Sequence, residues 1–374
     1  MNRIRHIFWL GIKELFSLKR DIVLLVLVIY SFTLAVYVEA TGITGQVHNA
    51  SIAVVDEDQS RLSKQIMDAV PKPFFRDPVM VSAPAAANGM DDGDYMFVLN
   101  IPKGFEQDIL AGRKPEILVD VDATAVNQAG KGAGYLQELI NDEVANFVLG
   151  TPEGIEPPVK LVSHMAFNPN AISMWFTSLA SVIDKVVMLT VILTGAALIR
   201  EREHGTIEHL MVMPLTPWEI VLSKVWANGL VILLGVAFAI LLVIHRVLSV
   251  PVAGSVPLYL CGTIIFLFFA TAFGVFIGTI VRSMPQLGLL TILMILPMML
   301  LSGGKTPVEN QPDWMQDITF FLPSRHYVSF SQSILLRDAG IDVVWPEFLI
   351  VAVMGLFFFG LSLILFRRSM DVGK

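Results

Sequence analysis

Long apolar runs separated by short polar breaks dominate the chain. Residues 22–38, 175–199, 222–247, 258–281, 286–302 and 348–366 each approach the roughly 20 residues that cross the hydrocarbon core of a bilayer, and they predict six membrane-spanning helices. The first 21 residues follow a different pattern. Ile4, Ile7, Phe8, Gly11, Leu15 and Leu18 recur near helical spacing with Arg and Lys elsewhere, which predicts an amphipathic helix lying in the membrane interface over 1–21. Between the first two runs the period shortens. SIAVVDED, PVMVSA, YMFVLNIP and PEILVDVDAT read as strands, and SRLSKQIMDAV as a helix capped by Ser60. PKGFEQDILAG reads as a helix that Pro102 starts and Gly112 stops, and residues 125–149 as a long helix leading into TPEGIEPPVK. The expectation is an α/β domain over 39–174, inserted between spans one and two, with spans two to six in 175–374.

Composition agrees with the apolar pattern. Hydrophobic residues make up 54% of the 374 and charged residues only 16%, with mean hydropathy +0.66, where a soluble domain carries about 25% charged residues. The charge is divided unevenly. More than half of the 33 acidic residues lie in 39–174, so the overall −7 describes neither part of the chain. An acidic domain repels phosphate, and no nucleic-acid partner is expected. Arg3, Arg5, Lys13, Lys19 and Arg20 precede the first span; Arg200, Arg202 and Lys224 flank the second loop; Arg282 follows the fourth span and Arg367, Arg368 and Lys374 the sixth. With six spans these fall on one side, and positive residues are retained in the cytoplasm. Lys305, Arg325 and Arg337 fall on the other side, with Arg246 as an exception. Both termini are therefore expected in the cytoplasm and the large domain outside. Val38-Glu39-Ala40 would pass as a signal-peptide cleavage site, but the long amphipathic leader favours an uncleaved anchor. Cys261 is the only cysteine and lies inside the fourth apolar run, so no intrachain disulfide forms.

Candidate chemistry is thin. Asp56, Glu57 and Asp58 lack the glycine and glutamate of a calcium loop and read as turn and cap residues, so no metal is expected. SGGKTP, 302–307, has Met299 where a phosphate-binding loop needs its first glycine. His204 and His209 are five apart, off the one-face spacing of helical metal ligands. No nucleophile motif appears, so neither catalysis nor a cofactor in this chain is expected. Asp184 and Lys185 lie ten residues into the second run, at about mid-bilayer depth, and as helix neighbours they point about 100° apart. They read as charges facing protein in a bundle or dimer interface, or as part of a substrate or proton path.

Residues 200–224, REREHGTIEHLMVMPLTPWEIVLSK, place alternating charges, a Gly-Thr break and a short apolar stripe (Ile207, Leu210, Met211, Pro214) between two spans. Thr216-Pro217 with Glu219 forms a Thr-x-x-Glu box that opens the next helix. An ordinary solvated loop would also fit these features. The segment, however, resembles the signature of permease subunits of type-2 ATP-binding-cassette exporters at Arg200, Glu201, Glu203, Gly205, Thr206, Ile207, Glu208, Leu210, Pro214, Glu219, Ile220 and Lys224. The stretch after the fifth span is similar to the same family at Ser302, Gly303, Pro307, Glu309, Pro312, Trp314 and Pro323, and IPKGFEQDILAGRKPEILVDVD resembles its extracytoplasmic domain.

The resemblance implies a helical polytopic permease in a bacterial inner membrane, moving a substrate outward. Residues 200–224 would be the coupling helix, gripped by a separate ATP-binding-cassette ATPase subunit or tandem ATPase that carries ATP and Mg. Residues 302–346 would be a re-entrant outer gate. A second permease copy or a paralogue would complete a dimer, and a periplasmic adaptor is a further partner. Two other readings stand beside it: a proton-coupled secondary transporter using Asp184, which predicts an internal repeat that is not visible, and a membrane-anchored ligand sensor, which needs a cytoplasmic output domain.

Overall fold

The computed structural model describes residues 2–42, 47, 49–122, 126–149, 167–168, 172–203, 215–305 and 307–371. They fall into two compact units, 1–43 with 174–374, and 44–173. The first unit opens with the amphipathic helix α1 (Asn2–Arg20) and the apolar helix α2 (Ile22–Gly42), whose turn Ser31–Ala35 is π-helical. Asp21 breaks the two apart and caps α2, its carboxylate accepting the Leu24 N–H at 3.1 Å.

The second unit follows in the chain as β1 (Ile52–Asp56), α3 (Arg61–Asp68), β2 (Val79–Met80), α4 (Ala83–Asp91), β3 (Phe97–Ile101), α5 (Phe105–Leu110), β4 (Leu118–Val121) and α6 (Val126–Leu149). Its sheet has the order β2-β1-β3-β4, parallel except for the antiparallel edge strand β4. Strand alternation sorts the core into two faces. Val54, Leu99 and Ile101 meet Leu62, Ile66 and Phe105 on one face; Ala53, Val55 and Val98 meet Ala86 on the other.

Two expectations change in this unit. PVMVSA keeps only two strand residues, because Ser82 and Pro84 open α4, a helix the strand-by-strand reading lacked. The helix expected from Pro102 begins at Phe105, since Gly104 with φ +80° turns the chain out of helical geometry first. The expected long helix is present over Val126–Leu149. The acids after β1 close turns: Asp56 accepts the amides of Asp58 and Gln59 and the Ser63 hydroxyl, and Asp58 accepts those of Gly104 at 2.8 Å and Glu106 at 3.1 Å. Burial alone would push the Asp58 carboxyl up, but the hydrogen bonds from Ser60 and the α5 amides outweigh it and hold it below the usual carboxylate range.

The chain returns to the first unit with α7 (Ser173–Glu203), α8 (Pro217–Val247, π-helical over Ala239–Val247), α9 (Val256–Ile280), α10 (Met284–Leu300), α11 (Asp313–Thr319), α12 (Pro323–Arg337) and α13 (Ile341–Asp371). Helices α2, α7, α8, α9 and α13 are long and apolar enough to cross a membrane. The fifth predicted span, α10, has 17 residues and is shorter, about 25 Å at 1.5 Å per residue. Helix α7 is the hub, with 83% of its apolar stretch buried against 22% for α13.

Two boundaries move. Arg200–Glu203 are the last helical residues of α7 and Pro217 already begins α8, so the stretch between the two helices is shorter than 200–224. The outer segment resolves into a 3₁₀ turn (Val308–Asn310), α11 and α12, and it ends before Ile341, so Trp345 and Glu347 belong to the last long helix.

Candidate functional site

Around the loop that follows α7, charged side chains weld three helices together. Lys224 of α8 is 1% exposed, and its ammonium lies 2.9 Å from Glu14 of α1 and 2.8 Å from Glu201 of α7. Lys13 reaches the other oxygen of Glu201 at 3.2 Å. Buried charges persist only when paired in this way, because each lost water. Helix α1 can lie this close because Gly11 has no side chain: a Cβ there would come within 2.1 Å of the Trp226 ring. Trp226 donates its indole N–H to the Ile7 carbonyl at 3.0 Å and stacks on Phe8.

The two ends of the loop are fixed separately. On the α7 side, Arg200 pairs with Asp21, and the Arg202 guanidinium donates to the carbonyls of Gly278, Thr279 and Val281 at 3.0–3.2 Å, the end of α9 that has no intrahelical donors. On the α8 side the expected box forms. The Thr216 N–H donates to Glu219 at 2.7 Å, Pro217 begins the helix, and His6 of α1 stands 3.5 Å from the same carboxylate.

This geometry divides the residues read as the ATPase-coupling set. Arg200, Glu201, Glu219 and Lys224 turn inward and form a frame, with Glu201, Glu219 and Lys224 buried; Glu203 is exposed at the frame's rim. Gly205, Thr206, Ile207, Glu208, Leu210 and Pro214 lie outside the described residues, as do His204 and His209. The roles of Glu14, Asp21 and Arg202 escaped the sequence reading, because their partners are up to 210 residues away. Their only local sign is charge at the edge of an apolar run.

At the far end of α7, Asp184 and Lys185 do not pair with each other. Lys185 pairs with Glu39 of α2, and the buried Asp184 faces Lys305 at 4.0 Å. Lys185 and Arg200 are 15 positions apart on α7, about 22 Å, and Asp21 and Glu39 are 18 positions apart along α2, about 27 Å, with only uncharged residues between them. The two α2–α7 ion pairs therefore bracket a layer close to hydrocarbon thickness. Asp184 stands beside the Lys185–Glu39 edge of that layer.

Beyond that edge the outer segment folds over itself. Ser302, Gly303, Pro307 and Glu309 share a cavity of about 360 Å³ with Arg325, His326, Ser329, Gln332, Arg337 and Glu347. Pro312 caps α11, Trp314 is exposed, and Pro323 is buried at the start of α12, so these three do not line it. A second, apolar cavity of about 660 Å³ lies between α2, α7 and α10. Its walls are Leu24, Met188, Ile192, Leu287, Ile295 and their neighbours, with Asp21 and Arg200 among the few polar groups.

The sequence profile of the ABC-2 family transporter proteins matches residues 22–364. The chain is 48% identical over 369 residues to the inner membrane transport permease YhhJ of Escherichia coli (strain K12), covering 99% of each chain. It is 28% identical over 359 residues to the probable multidrug ABC transporter permease YbhR of the same strain, covering 94% of this chain and 96% of that one. With the probable multidrug ABC transporter permease YbhS it shares 26% identity over 284 residues, 75% of each. Such permeases carry neither a nucleotide-binding domain nor a cofactor and work with an ATPase partner. The span pattern, the inserted α/β domain and these matches agree: the chain belongs to the ABC-2 family of transporters, as the permease component.

Proposed function

We propose that this chain is the permease of an exporter of the bacterial inner membrane, with both termini and the 204–214 loop in the cytoplasm and the α/β domain in the periplasm. The ATPase partner, a pair of subunits or a tandem ATPase carrying ATP and Mg, grips the loop. A second permease copy or a paralogue completes the pore, and the outer domain offers a surface to a periplasmic adaptor. The observation that carries this reading is the frame. A loop whose two ends are tied through Lys224, Glu201, Asp21 and the Arg202–α9 contacts passes a push to α1, α2, α7, α8 and α9 together.

The ion pairs Lys185–Glu39 and Lys305–Asp184 would then part or tilt at the outer edge, opening the segment 302–340. The cargo is an apolar or amphipathic organic molecule, in keeping with the lining of the larger cavity. The positive-residue distribution supports the orientation. In the test, the tagged permease is co-expressed with its ABC ATPase partner, and captured ATPase is compared between wild type and Glu208→Lys. Charge reversal on the loop is expected to reduce capture at least tenfold at unchanged permease yield. Equal capture would remove the coupling role from 204–214.

A further inference from the structure

His326 is 3% exposed on α12, and both of its ring nitrogens face acceptors. Nε2 lies 2.7 Å from the Phe320 carbonyl, which can only accept, so Nε2 carries a proton. Nδ1 meets a carboxylate oxygen of Glu347 on α13, and the other oxygen of that carboxylate already accepts the Ser329 hydroxyl at 3.1 Å. A neutral imidazole beside an ionised carboxylate would set a lone pair against a negative oxygen there. A hydrogen bond at Nδ1 needs one more proton, whether it resides on the ring or on Glu347.

We infer that His326 and Glu347 form a proton-binding site in the wall of the smaller cavity, and that its proton clasps the outer helix α11 to α12 and α13. The site has the access and the linkage this requires. Glu347 is 28% exposed and borders the cavity, so water reaches the pair. Phe320, whose carbonyl His326 holds, ends α11, and Arg325 holds the same end through Gln316 O at 2.7 Å and Thr319 Oγ1 at 2.9 Å. The other charged groups around the site are Arg325 and Arg337 on its own helix and Glu309 across the cavity; Asp313 and Asp317 of α11 are not among the lining residues.

Deprotonation removes the bond to Glu347 that holds the ring and sets the Nδ1 lone pair against the carboxylate, so the ring turns away, its Nε2–H bond to Phe320 weakens while the Arg325 contacts stay, and α11 loosens toward alkaline pH. The inference concerns the outer segment alone and stands whichever way cargo moves.

Amide hydrogen exchange of the full-length chain in lipid nanodiscs tests it, following residues 311–322 from pH 6 to 9 with the base-catalysed intrinsic rate divided out. Wild type should lose protection about tenfold or more across that range, the scale of one hydrogen bond to a charged group, while α9 in the same samples stays level. In Glu347→Gln the side-chain amide donates to an unprotonated Nδ1 and its carbonyl still accepts from Ser329, so protection should be retained and flat with pH. A flat wild-type profile overturns the inference, and that measurement needs no variant. An unchanged pH slope in Glu347→Gln also overturns it.

Discussion

Lys224→Met deletes the centre of the buried ion cluster and keeps most of the stem. The ammonium is fully enclosed between Glu14 and Glu201, at 2.9 and 2.8 Å, so its loss leaves two carboxylates facing each other's charge. Removing one partner of a buried pair typically costs about 3–5 kcal/mol. Here the low end applies: both carboxylates keep 11% exposure, and Lys13 remains 3.2 Å from Glu201. About 3 kcal/mol is roughly a hundredfold in a local equilibrium, at 1.4 kcal/mol per factor of ten. Glu14 joins α1 to the bundle together with Lys13, His6, the Trp226 contact and the short connection at Asp21, so the loss is felt first in α1. Amide exchange over residues 7–18 should therefore accelerate by roughly a hundredfold, with α9 and α13 unchanged. The double variant Glu14→Gln/Lys224→Met should be less perturbed than the sum of the single ones, because the stranded carboxylate is gone. As a control, Lys72→Ala breaks a pair exposed at 69% and 82% and should cost less than about 1 kcal/mol. Exchange of α1 in Lys224→Met within fivefold of wild type would refute the reasoning that this cluster holds the loop frame.

Two further outcomes follow from the packing and the α/β domain. Gly254→Ala places a Cβ 1.8 Å from the Ile334 carbonyl oxygen, a backbone atom that cannot rotate away, so the loop before α9 must separate from α12; a fall in thermal stability equivalent to about 1–3 kcal/mol is expected in a melting assay. The folded-state value of Asp58 is depressed below 3.8, so its contribution is complete above that value and disappears as pH falls through the lower folded one. Protection of the α5 amides should drop with acidification below pH 4 in wild type, and Asp58→Asn should be weaker at neutral pH with a shallower acid slope.

The apolar runs were long enough to declare five of the membrane helices, since a continuous apolar run of this length meets its backbone hydrogen bonds in lipid as a helix, where barrel strands are about half as long. The alternation in SIAVVD and MFVLNI likewise declared the central strands, because the period of two follows from the pleat itself. The Thr216–Glu219 box was legible for the same reason: its partners are three residues apart. Helix ends were harder to read. Arg200–Glu203 looked like a loop because charge at the end of an apolar run normally marks an exit to water. Here Asp21, Lys224 and the α9 carbonyls receive those charges, and the helix continues.

What the sequence by itself determined was the inventory: the apolar spans, the inserted α/β domain, and a segment whose residues resemble the coupling element of a known transporter family. Only the tertiary structure decided that Glu201 and Lys224 face each other, that Asp184 answers Lys305, and that both nitrogens of His326 are engaged. The physical reason is range. Periodicity and capping act within a few residues, whereas the enthalpy of a buried charge depends on whichever group the packing brings to about 3 Å, here from as far as 210 residues away.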